Sequence, residues 1–321
     1  MKQSLLIGLL LGIIAAVSGC GKDDVAAPNA NEKFWLKTNG PTGGSVSSLA
    51  INSSGHIFAG TVGGVFRSVN NGNTWRQANS GLTTSNVRTL AINSSGHIFA
   101  GTPGGVFRSM NNGDAWTPVN TGLTTPSVNT LAINSSGHIF VGTVGGVFRS
   151  VNNGDSWTQV NTGLISTIVL TLAINSSGHI FAGTWSGVGV FRSENNGDSW
   201  TPVNNELANT DVLALAINSS GHVFAGTWGG VFRSENSGDS WVQANTGLTA
   251  PSVNALAISS GGHIFAGTYG GAFRSDNNGD SWAQVNTGLI NTIVLALAIN
   301  SNGYIFAGTW GGVFRSVKST N

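Results

Sequence analysis

The sequence predicts an all-β protein built from seven copies of one structural unit. The segment Leu-Ala-Ile-Asn-Ser-Ser-Gly begins at Leu49 and recurs, with few changes, at Leu90, Leu131, Leu172, Leu215, Leu256 and Leu297. Each copy contains four short strand-like stretches, separated by Gly- and Asn-rich turns. A repeat of about 41 residues that cannot bury both faces alone is typical of a β-propeller, in which each repeat is one blade. We therefore expect a single seven-bladed propeller of four-stranded antiparallel blades.

The second repeat illustrates how the four strands, A to D, follow one another. The predicted strands cover, in order, Val87 to Ile92, His97 to Thr102, Val106 to Ser109 and a segment that opens at Trp116. The predicted turns are Asn93 to Gly96 between A and B, Gly104-Gly105 between B and C, and Asn111 to Asp114 between C and D. Gly adopts positive φ in such turns, and Asn side chains bond nearby backbone amides.

The two ends of the chain share the last blade in this prediction. A Trp-x-x-x-Asn strand covers Trp35 to Asn39, before the first full repeat, and the last repeat stops shortly after Arg315-Ser316. Seven A–B–C sets need seven D strands, so the N-terminal strand completes the last blade. This arrangement leaves no free sheet edge and closes the ring.

Six C–D turns share a pattern that resembles a known motif. Ser109-Met110-Asn111-Asn112-Gly113-Asp114-Ala115-Trp116 is similar to the Asp-box, or bacterial neuraminidase repeat, Ser-x-Asp-x-Gly-x-Thr-Trp, with Asn at the Asp position. An Asn oxygen still accepts backbone hydrogen bonds, so the turn does not require the charge. The resemblance covers residues 35–321 and implies a propeller whose boxes are structural and lie away from the functional face.

We call these six segments the box turns and assign them to fold stability. Their matched residues are Ser68, Asn70, Gly72, Trp75, Ser109, Asn111, Gly113, Trp116, Ser150, Asn152, Gly154, Trp157, Ser193, Asn195, Gly197, Trp200, Ser234, Asn236, Gly238, Trp241, Ser275, Asn277, Gly279 and Trp282. Non-catalytic propellers of this kind, similar to the photosystem II assembly factor and to sortilin-type receptors, act by binding.

Composition gives little electrostatic signal. Charged residues make up 8% of the chain, against about 25% in an average soluble protein. Without Lys2, 13 basic and 13 acidic side chains remain, so the sequence predicts no field that would attract a nucleic acid backbone. We expect one propeller domain over residues 34–321 and a monomer.

The N-terminus reads as a targeting segment. Lys2 precedes an apolar run from Leu5 to Val17, which is too short to span a bilayer and is typical of a signal peptide over residues 1–19. Val17-Ser18-Gly19-Cys20 resembles a bacterial lipobox, so Cys20, the single cysteine, is the expected lipidation site. Residues 20–33 form a polar tether. The lipobox resemblance implies a lipoprotein of the bacterial cell envelope, anchored in the outer membrane. In one alternative, it is exposed at the cell surface.

Repeated charged residues argue against a metal site or cofactor. The histidines each occupy the same position in a different blade, and they are His56, His97, His138, His179, His222 and His263. Equivalent positions on neighbouring blades lie roughly 9 Å apart if strands are spaced by about 4.8 Å, whereas zinc ligands lie about 2 Å from the metal. The seven arginines from Arg67 to Arg315 are also one repeated position, expected to bond turn carbonyls or flank Trp rings.

The residues that break the repeat are the candidates for function. The first residue of the B–C turn is Val62, Pro103 or Val144 in blades one to three, then Trp185, Trp228, Tyr269 and Trp310. Blade four also has a two-residue insertion after Trp185, and the connection into blade five brings Glu206 and Asp211 to the same face. Exposed rings beside two acids predict a ligand-binding surface. Alternatively, each ring folds over its own glycine hairpin and the acids are solvated.

Two classes of function follow. The first is a membrane-anchored propeller that binds a protein or carbohydrate, or acts as a scaffold, without catalysis. The second is a glycoside hydrolase, sialidase-like or xyloglucanase-like, that uses Glu206 and Asp211 as its acid and base. Sialidases use six blades and an arginine triad, which equivalent positions around a ring cannot form. The sequence therefore favours the binding protein.

Overall fold

The chain forms seven four-stranded antiparallel sheets arranged in a ring, which confirms the predicted seven-bladed β-propeller. The structure is a computed structural model that describes residues 33–320. The signal peptide at residues 1–19, Cys20 and all but the last residue of the tether lie outside the described residues.

The strands are short, and equivalent strands in the seven blades have nearly equal lengths. The innermost strands, A, are β2 (Val46–Ile51), β6 (Thr89–Ile92), β10 (Val128–Ile133), β14 (Val169–Ile174), β18 (Val212–Ile217), β22 (Val253–Ile258) and β26 (Val294–Ile299). The B strands are β3 (Ile57–Thr61), β7 (Ile98–Thr102), β11 (Ile139–Thr143), β15 (Ile180–Thr184), β19 (Val223–Thr227), β23 (Ile264–Thr268) and β27 (Ile305–Thr309).

The outer half of each blade consists of strands C and D. The C strands are β4 (Gly64–Ser68), β8 (Gly105–Ser109), β12 (Gly146–Ser150), β16 (Val190–Ser193), β20 (Gly230–Ser234), β24 (Gly271–Ser275) and β28 (Gly312–Ser316). The D strands are β5 (Arg76–Gln77), β9 (Thr117–Pro118), β13 (Thr158–Gln159), β17 (Thr201–Pro202), β21 (Val242–Gln243), β25 (Ala283–Gln284) and β1 (Trp35–Lys37).

The N-terminal strand closes the ring as predicted. β1 pairs with β28, with Trp35 opposite Ser316 and Lys37 opposite Phe314, and so completes the seventh blade. The strand ends at Lys37 and not at Asn39, whose side-chain amide donates to the carbonyl of Asn73 in blade 1.

Two predicted strand boundaries shift for identifiable reasons. Trp116 does not belong to strand D, because its amide donates to the carbonyl of Ser80 in the preceding blade, 2.8 Å away. His97 belongs to the A–B turn and not to strand B, because its amide donates to the Oδ1 of Asn93. The bond of the Trp amide recurs in every other blade except blade 1, and the bond of the His amide recurs in all the other blades, with a Ser acceptor in blade 6 and a Tyr donor in blade 7. The D strands are therefore only two or three residues long.

The hydrophobic core lies between neighbouring blades. In one cluster, Phe99 and Val106 of blade 2 pack against Val128, Phe148 and Trp157 of blade 3, and all are buried. Similar clusters join the other neighbouring blades. Because each blade buries its apolar faces only against its neighbours, the closed ring is the unit of stability.

The box turns connect each blade to the one before it. Within the turn, the Asn111 Oδ1 accepts from the Ala115 amide, and the Gly113 amide donates to the Oγ of Ser109. Across the joint, Arg108 donates to the carbonyl of Asn153 in the next box turn and pairs with Asp155 at 2.7 Å. Six of the seven repeated arginines thus bond turn carbonyls of the following blade, one of the two roles expected for them, whereas Arg274 pairs with Asp276 of its own blade.

Among residues 33–320, no helix has the length and apolar character needed to cross a membrane.

Candidate functional site: the B–C face

The turns divide the ring into two faces. The B–C turns meet the D–A connections on one face, where the Gly63 amide donates to the carbonyl of Gly43 at 3.2 Å. The A–B turns meet the box turns on the other, where Asn52 donates its side-chain amide to Asn112 at 3.0 Å. We call them the B–C face and the box face.

Each B–C turn satisfies its own polar groups. In blade 1, the Thr61 hydroxyl donates to the carbonyl of Gly64 and accepts from the amide of Gly63. Asn79 of strand D donates to the carbonyl of Gly63 and accepts from the amide of Val65. A side chain at Gly64 would collide with Asn79, since a Cβ there would lie 2.1 Å from its Nδ2. The turn is therefore fixed by its Thr, Gly and Asn, and its first residue is not needed for this bonding.

The first residue of the B–C turn is apolar in all seven blades. These residues are Val62, Pro103, Val144, Trp185, Trp228, Tyr269 and Trp310. All except Pro103 are exposed. The mouth of the ring on this face therefore carries a circle of exposed apolar side chains, whose aromatic members occupy blades 4 to 7.

Three of the four aromatic rings contact one another across blades. The centroids of Trp185 and Trp228 lie 6.2 Å apart with an interplanar angle of 74°, an edge-to-face contact. Those of Trp228 and Tyr269 lie 6.1 Å apart at 35°. The side chains are 37%, 40% and 45% exposed, and Trp310 in blade 7 is 59% exposed. The rings thus pack on their neighbours' rings. We call Trp185, Trp228, Tyr269 and Trp310 the aromatic arc.

Two exposed isoleucines belong to the same face and were not among the sequence candidates. Ile165 and Ile290, 77% and 76% exposed, lie in the D–A connections that enter blades 4 and 7, the two end blades of the aromatic arc. Equivalent residues in other connections are Thr83, Thr124, Ala208 and Thr249. Comparison of the connections with one another, and not only of the B–C turns, would have identified them.

Asp211 orders the blade 4 insertion. Its Oδ1 accepts a hydrogen bond from the amide of Gly187 at 2.9 Å. The insertion contains Ser186 at φ 71°, a left-handed conformation that is costly for a residue with a side chain. On its other side, the Trp185 amide donates to the carbonyl of Ile168 at 3.0 Å. Asp211 thus helps fix the loop that begins with Trp185.

Glu206 occupies a position where five other connections have glycine. It is exposed and lies at φ 64°. At the equivalent Gly122, φ is 83°, and a Cβ would lie 2.2 Å from the carbonyl oxygen of Trp157 in the next blade. Glu206 therefore holds a strained backbone conformation that the other blades assign to glycine.

The structure does not assemble Glu206 and Asp211 into an enclosed catalytic site. Glu206 is exposed, and the Asp211 carboxylate already accepts from a backbone amide. Within residues 33–320, the cavity in the central channel has a volume of about 190 Å³ and is lined by inner-strand residues such as Thr171, Ala214 and Leu297. That volume is below the roughly 300 Å³ at which small-molecule pockets begin. The B–C face therefore suits a ligand that lies across a surface.

Within the described residues, no group of three His, Cys, Asp or Glu side chains is placed to hold a metal ion. The histidines lie on the box side of the blades and face different partners. His97 contacts Asn153 of the next blade at 3.0 Å, and His263 contacts Asp276 of its own blade at 2.7 Å.

No protein-family model matches the chain, and no curated protein matches it. Solved structures do. The extracellular domain of the hybrid two-component system BT4673 from B. thetaiotaomicron superposes with a TM-score of 0.77 at 19% identity, covering 90% of this chain and 40% of that one. This chain therefore spans about two-fifths of the sensor domain's length.

Two further structures illustrate the range of proteins with this fold. YCF48 bound to D1 peptide matches with a TM-score of 0.72 at 17% identity, over 91% of this chain and 99% of that one. The GH74 xyloglucanase from Xanthomonas campestris matches with a TM-score of 0.69 at 18% identity, over 87% and 52%. At such identities, the similarity establishes the seven-bladed propeller fold and leaves the ligand open.

Proposed function

We propose that this chain is an extracytoplasmic lipoprotein of the bacterial envelope, anchored through Cys20, whose propeller binds a protein or glycan on the B–C face without catalysis. The observation that carries the proposal is the contact of Trp185, Trp228 and Tyr269 across three neighbouring blades while all three rings remain exposed. Such rings offer flat apolar faces to sugar rings or to the side chains of a partner.

The fold itself does not require these aromatic residues. Val62 and Val144 begin B–C turns with the same Thr–Gly hydrogen bonds as the turn that Trp228 begins. Large exposed apolar side chains leave an unfavourable apolar surface in water, and contiguous patches of them mark interaction sites. The aromatic arc is therefore better explained by a ligand than by folding.

The shape of the face favours an extended ligand. The cavity in the central channel has a volume of only about 190 Å³, and the aromatic arc follows the rim over four blades. A glycan or a polypeptide segment is long enough to contact several rings at once. The structures of similar fold include YCF48 with a peptide and extracellular sensor domains, which supports a binding role by analogy of fold.

The Asp-box resemblance supports the same division of roles. The box turns bond their own backbone and the preceding blade, as a structural motif would. We assign them to stability and the opposite face to recognition. The hydrolase alternative has the fold of GH74 xyloglucanases in its favour. It would require Glu206 and Asp211 to act as acid and base, although Asp211 is bonded to Gly187.

Binding is tested with residues 33–321 on a glycan array and in cell-surface pull-downs. The ring closes through β1 without any earlier residue. The matched variant replaces Trp185, Trp228, Tyr269 and Trp310 by Val, the residue that blades 1 and 3 carry in the same turn. Met110→Val on the box face is the control. We expect wild type and control to bind the same ligand and the quadruple variant to lose at least about 100-fold in affinity.

Equal binding by the quadruple variant would contradict a role of the aromatic arc. The hydrolase alternative is tested separately by incubating any glycan that binds with wild type and with Glu206→Gln. Turnover by the wild type that Glu206→Gln abolishes would replace the binding proposal with a catalytic one.

A further inference from the structure

The charged side chains are segregated around the ring. Residues 33–113 and 281–320 contain no Asp or Glu, and they form strand D of blade 6, blades 7 and 1, and strands A to C of blade 2. Their eight basic residues are Lys33, Lys37, Arg67, Arg76, Arg88, Arg108, Arg315 and Lys318. Residues 114–280 contain ten acidic residues and the four basic residues Arg149, Arg192, Arg233 and Arg274. A nearly neutral composition therefore conceals a cationic and an anionic side.

The tips of the box turns divide in a similar way, except that the apolar tip of blade 3 lies in the acid-containing segment. The tip is the residue after the box Ser, and it is Val317, Val69, Met110 and Val151 in blades 7, 1, 2 and 3, then Glu194, Glu235 and Asp276 in blades 4, 5 and 6. The four apolar tips are exposed, and Met110 reaches 65%. The acidic tips pair with the Arg two positions earlier, as Glu194 pairs with Arg192 at 3.0 Å. Blades 7 and 1 thus combine apolar tips with excess positive charge. The tips of blades 2 and 3 stand beside Asp114 and Asp155, which pair with Arg67, Arg76 and Arg108.

The chain enters the ring beside these apolar tips. Phe34 accepts a hydrogen bond on its carbonyl from the amide of Val317, and Trp35 lies opposite Ser316 at the box end of β28. From Cys20 to Lys33, thirteen residue steps span at most about 45 Å. An anchor at Cys20 would therefore keep the box side of blade 7 within about 45 Å of the membrane.

We infer that the box face of blades 7, 1, 2 and 3 docks on the surface of an anionic lipid bilayer. The exposed Val and Met tips enter the headgroup region. The Lys and Arg side chains of this side outnumber Asp114 and Asp155, the two acids of its box turns, and attract anionic headgroups. Anionic headgroups repel the acidic tips of blades 4 to 6. The ring therefore tilts so that its cationic side lies nearer the bilayer. A nucleic acid would also attract the cations, but it offers nothing to the apolar tips. The aromatic arc then faces away from the bilayer.

The test measures orientation on a vesicle and does not depend on Cys20. Residues 33–321 with an N-terminal histidine tag are bound to nickel-chelating lipid in phosphatidylglycerol-rich vesicles. A fluorophore is attached to a cysteine introduced by Met110→Cys on the box face or by Val144→Cys on the B–C face. Nitroxide-labelled lipid should quench the probe at 110 about threefold more than the probe at 144. Vesicles of phosphatidylcholine, or about 1 M salt with a Debye length of about 3 Å, should reduce the difference.

A charge variant separates docking from simple tethering. Val69→Glu with Val317→Glu places on blades 1 and 7 the tip that blades 4 and 5 already carry beside the same Arg, so the ring is expected to fold. Quenching at 110 should fall to the level at 144, while Val62→Glu on the B–C face should leave it unchanged. Equal quenching at 110 and 144 in the parent protein would overturn the inference. Loss of the quenching at 110 when an oligonucleotide is added to the anionic vesicles would also overturn it. The anchor is a separate claim of the proposed function. Mass spectrometry of the wild-type protein that finds no acyl chain on Cys20 would contradict that claim alone.

Discussion

The indole Nε1 of Trp116 donates a hydrogen bond to the main-chain oxygen of Ala78, 2.8 Å away in the preceding blade. The donor and the acceptor are both buried, so the bond closes a polar gap inside the apolar joint between blades 1 and 2. Trp157 and Trp200 make the same bond at the next two joints. These bonds are a reason why a Trp stands at the end of five of the six complete box turns.

Trp116→Phe is expected to lower the free energy of unfolding by about 2 kcal/mol, because the Ala78 carbonyl stays buried without its donor. The smaller ring also leaves unfilled space in the joint. Urea denaturation monitored by circular dichroism measures the change. The matched control is Trp310→Phe, at an exposed site, with a change below about 0.5 kcal/mol. Similar losses for the two variants would contradict the role of the buried bond.

The joint between blades 7 and 1, where the chain ends meet, is built differently. Trp75 donates to the hydroxyl of Thr38 at 3.2 Å and is only partly buried. Arg315 reaches the carbonyl of Asn71 at 3.2 Å, whereas the equivalent bonds of Arg108, Arg149, Arg192 and Arg233 measure 2.6 to 2.7 Å. Asn73 also stands where the box turns of those joints have Asp. We expect amide protons at this joint to exchange first in the native ring.

Asn73→Asp should strengthen the closing joint. The new carboxylate would take the place that Asp155 holds beside Arg108. Because such pairs are largely exposed, the gain in unfolding free energy should be about 0.5 kcal/mol and should shrink in high salt. Differential scanning calorimetry at low and high salt measures it, with Asn73→Ser as the uncharged control. A gain of the same size for Ser, or one that salt does not reduce, would exclude the ion pair as the cause.

Glu206→Gly should stabilise the protein by about 1 kcal/mol, because glycine adopts φ 64° without the steric cost that a Cβ imposes. Glu206→Ala keeps the Cβ and should bring no gain, which makes it the matched control. Chemical denaturation of the three proteins decides the matter. If the gain appears and ligand binding on the B–C face falls at the same time, the strain at Glu206 is maintained for recognition.

Much of the fold follows from repetition in the sequence. Seven copies of one unit, together with the spare D strand at Trp35, give the blade number and the closure, because neither depends on side-chain detail. The ends of the D strands could not be predicted. From the sequence, the Trp116 amide could bond either within the sheet of its own blade or to another blade. The packed joint between the blades selects the second, a bond to the carbonyl of Ser80.

The candidate residues of the B–C face could be chosen from the sequence, but their arrangement could not. The aromatic residues of blades 4 to 7 are visible in the aligned repeats, but the contact between Trp185 and Trp228 depends on how adjacent blades are oriented. The charge segregation was present in the sequence as acid-free segments. A net charge averaged over the chain hides it, because the positive blades 7 and 1 come from opposite ends of the sequence.

Asp211→Ala is expected to loosen the blade 4 insertion without unfolding the ring. The bond from the Gly187 amide to the Asp211 carboxylate fixes a loop that otherwise contains Ser186 and two glycines at positive φ. Its loss should speed hydrogen exchange at the Gly187 amide about tenfold. Asp211→Asn retains a side-chain oxygen acceptor and should exchange within about threefold of wild type. Native-state exchange followed by NMR measures all three proteins.

The Ala and Asn variants together separate the two roles assigned to Asp211. A residue that orders the loop tolerates Asn, so ligand binding next to Trp185 should survive Asp211→Asn and weaken in Asp211→Ala. A catalytic acid or base tolerates neither, because Asn cannot transfer the proton. Unchanged exchange at Gly187 in Asp211→Ala would mean that the loop is held by other contacts, such as the bond from the Trp185 amide to Ile168. The Asp211 carboxylate would then again be available for chemistry.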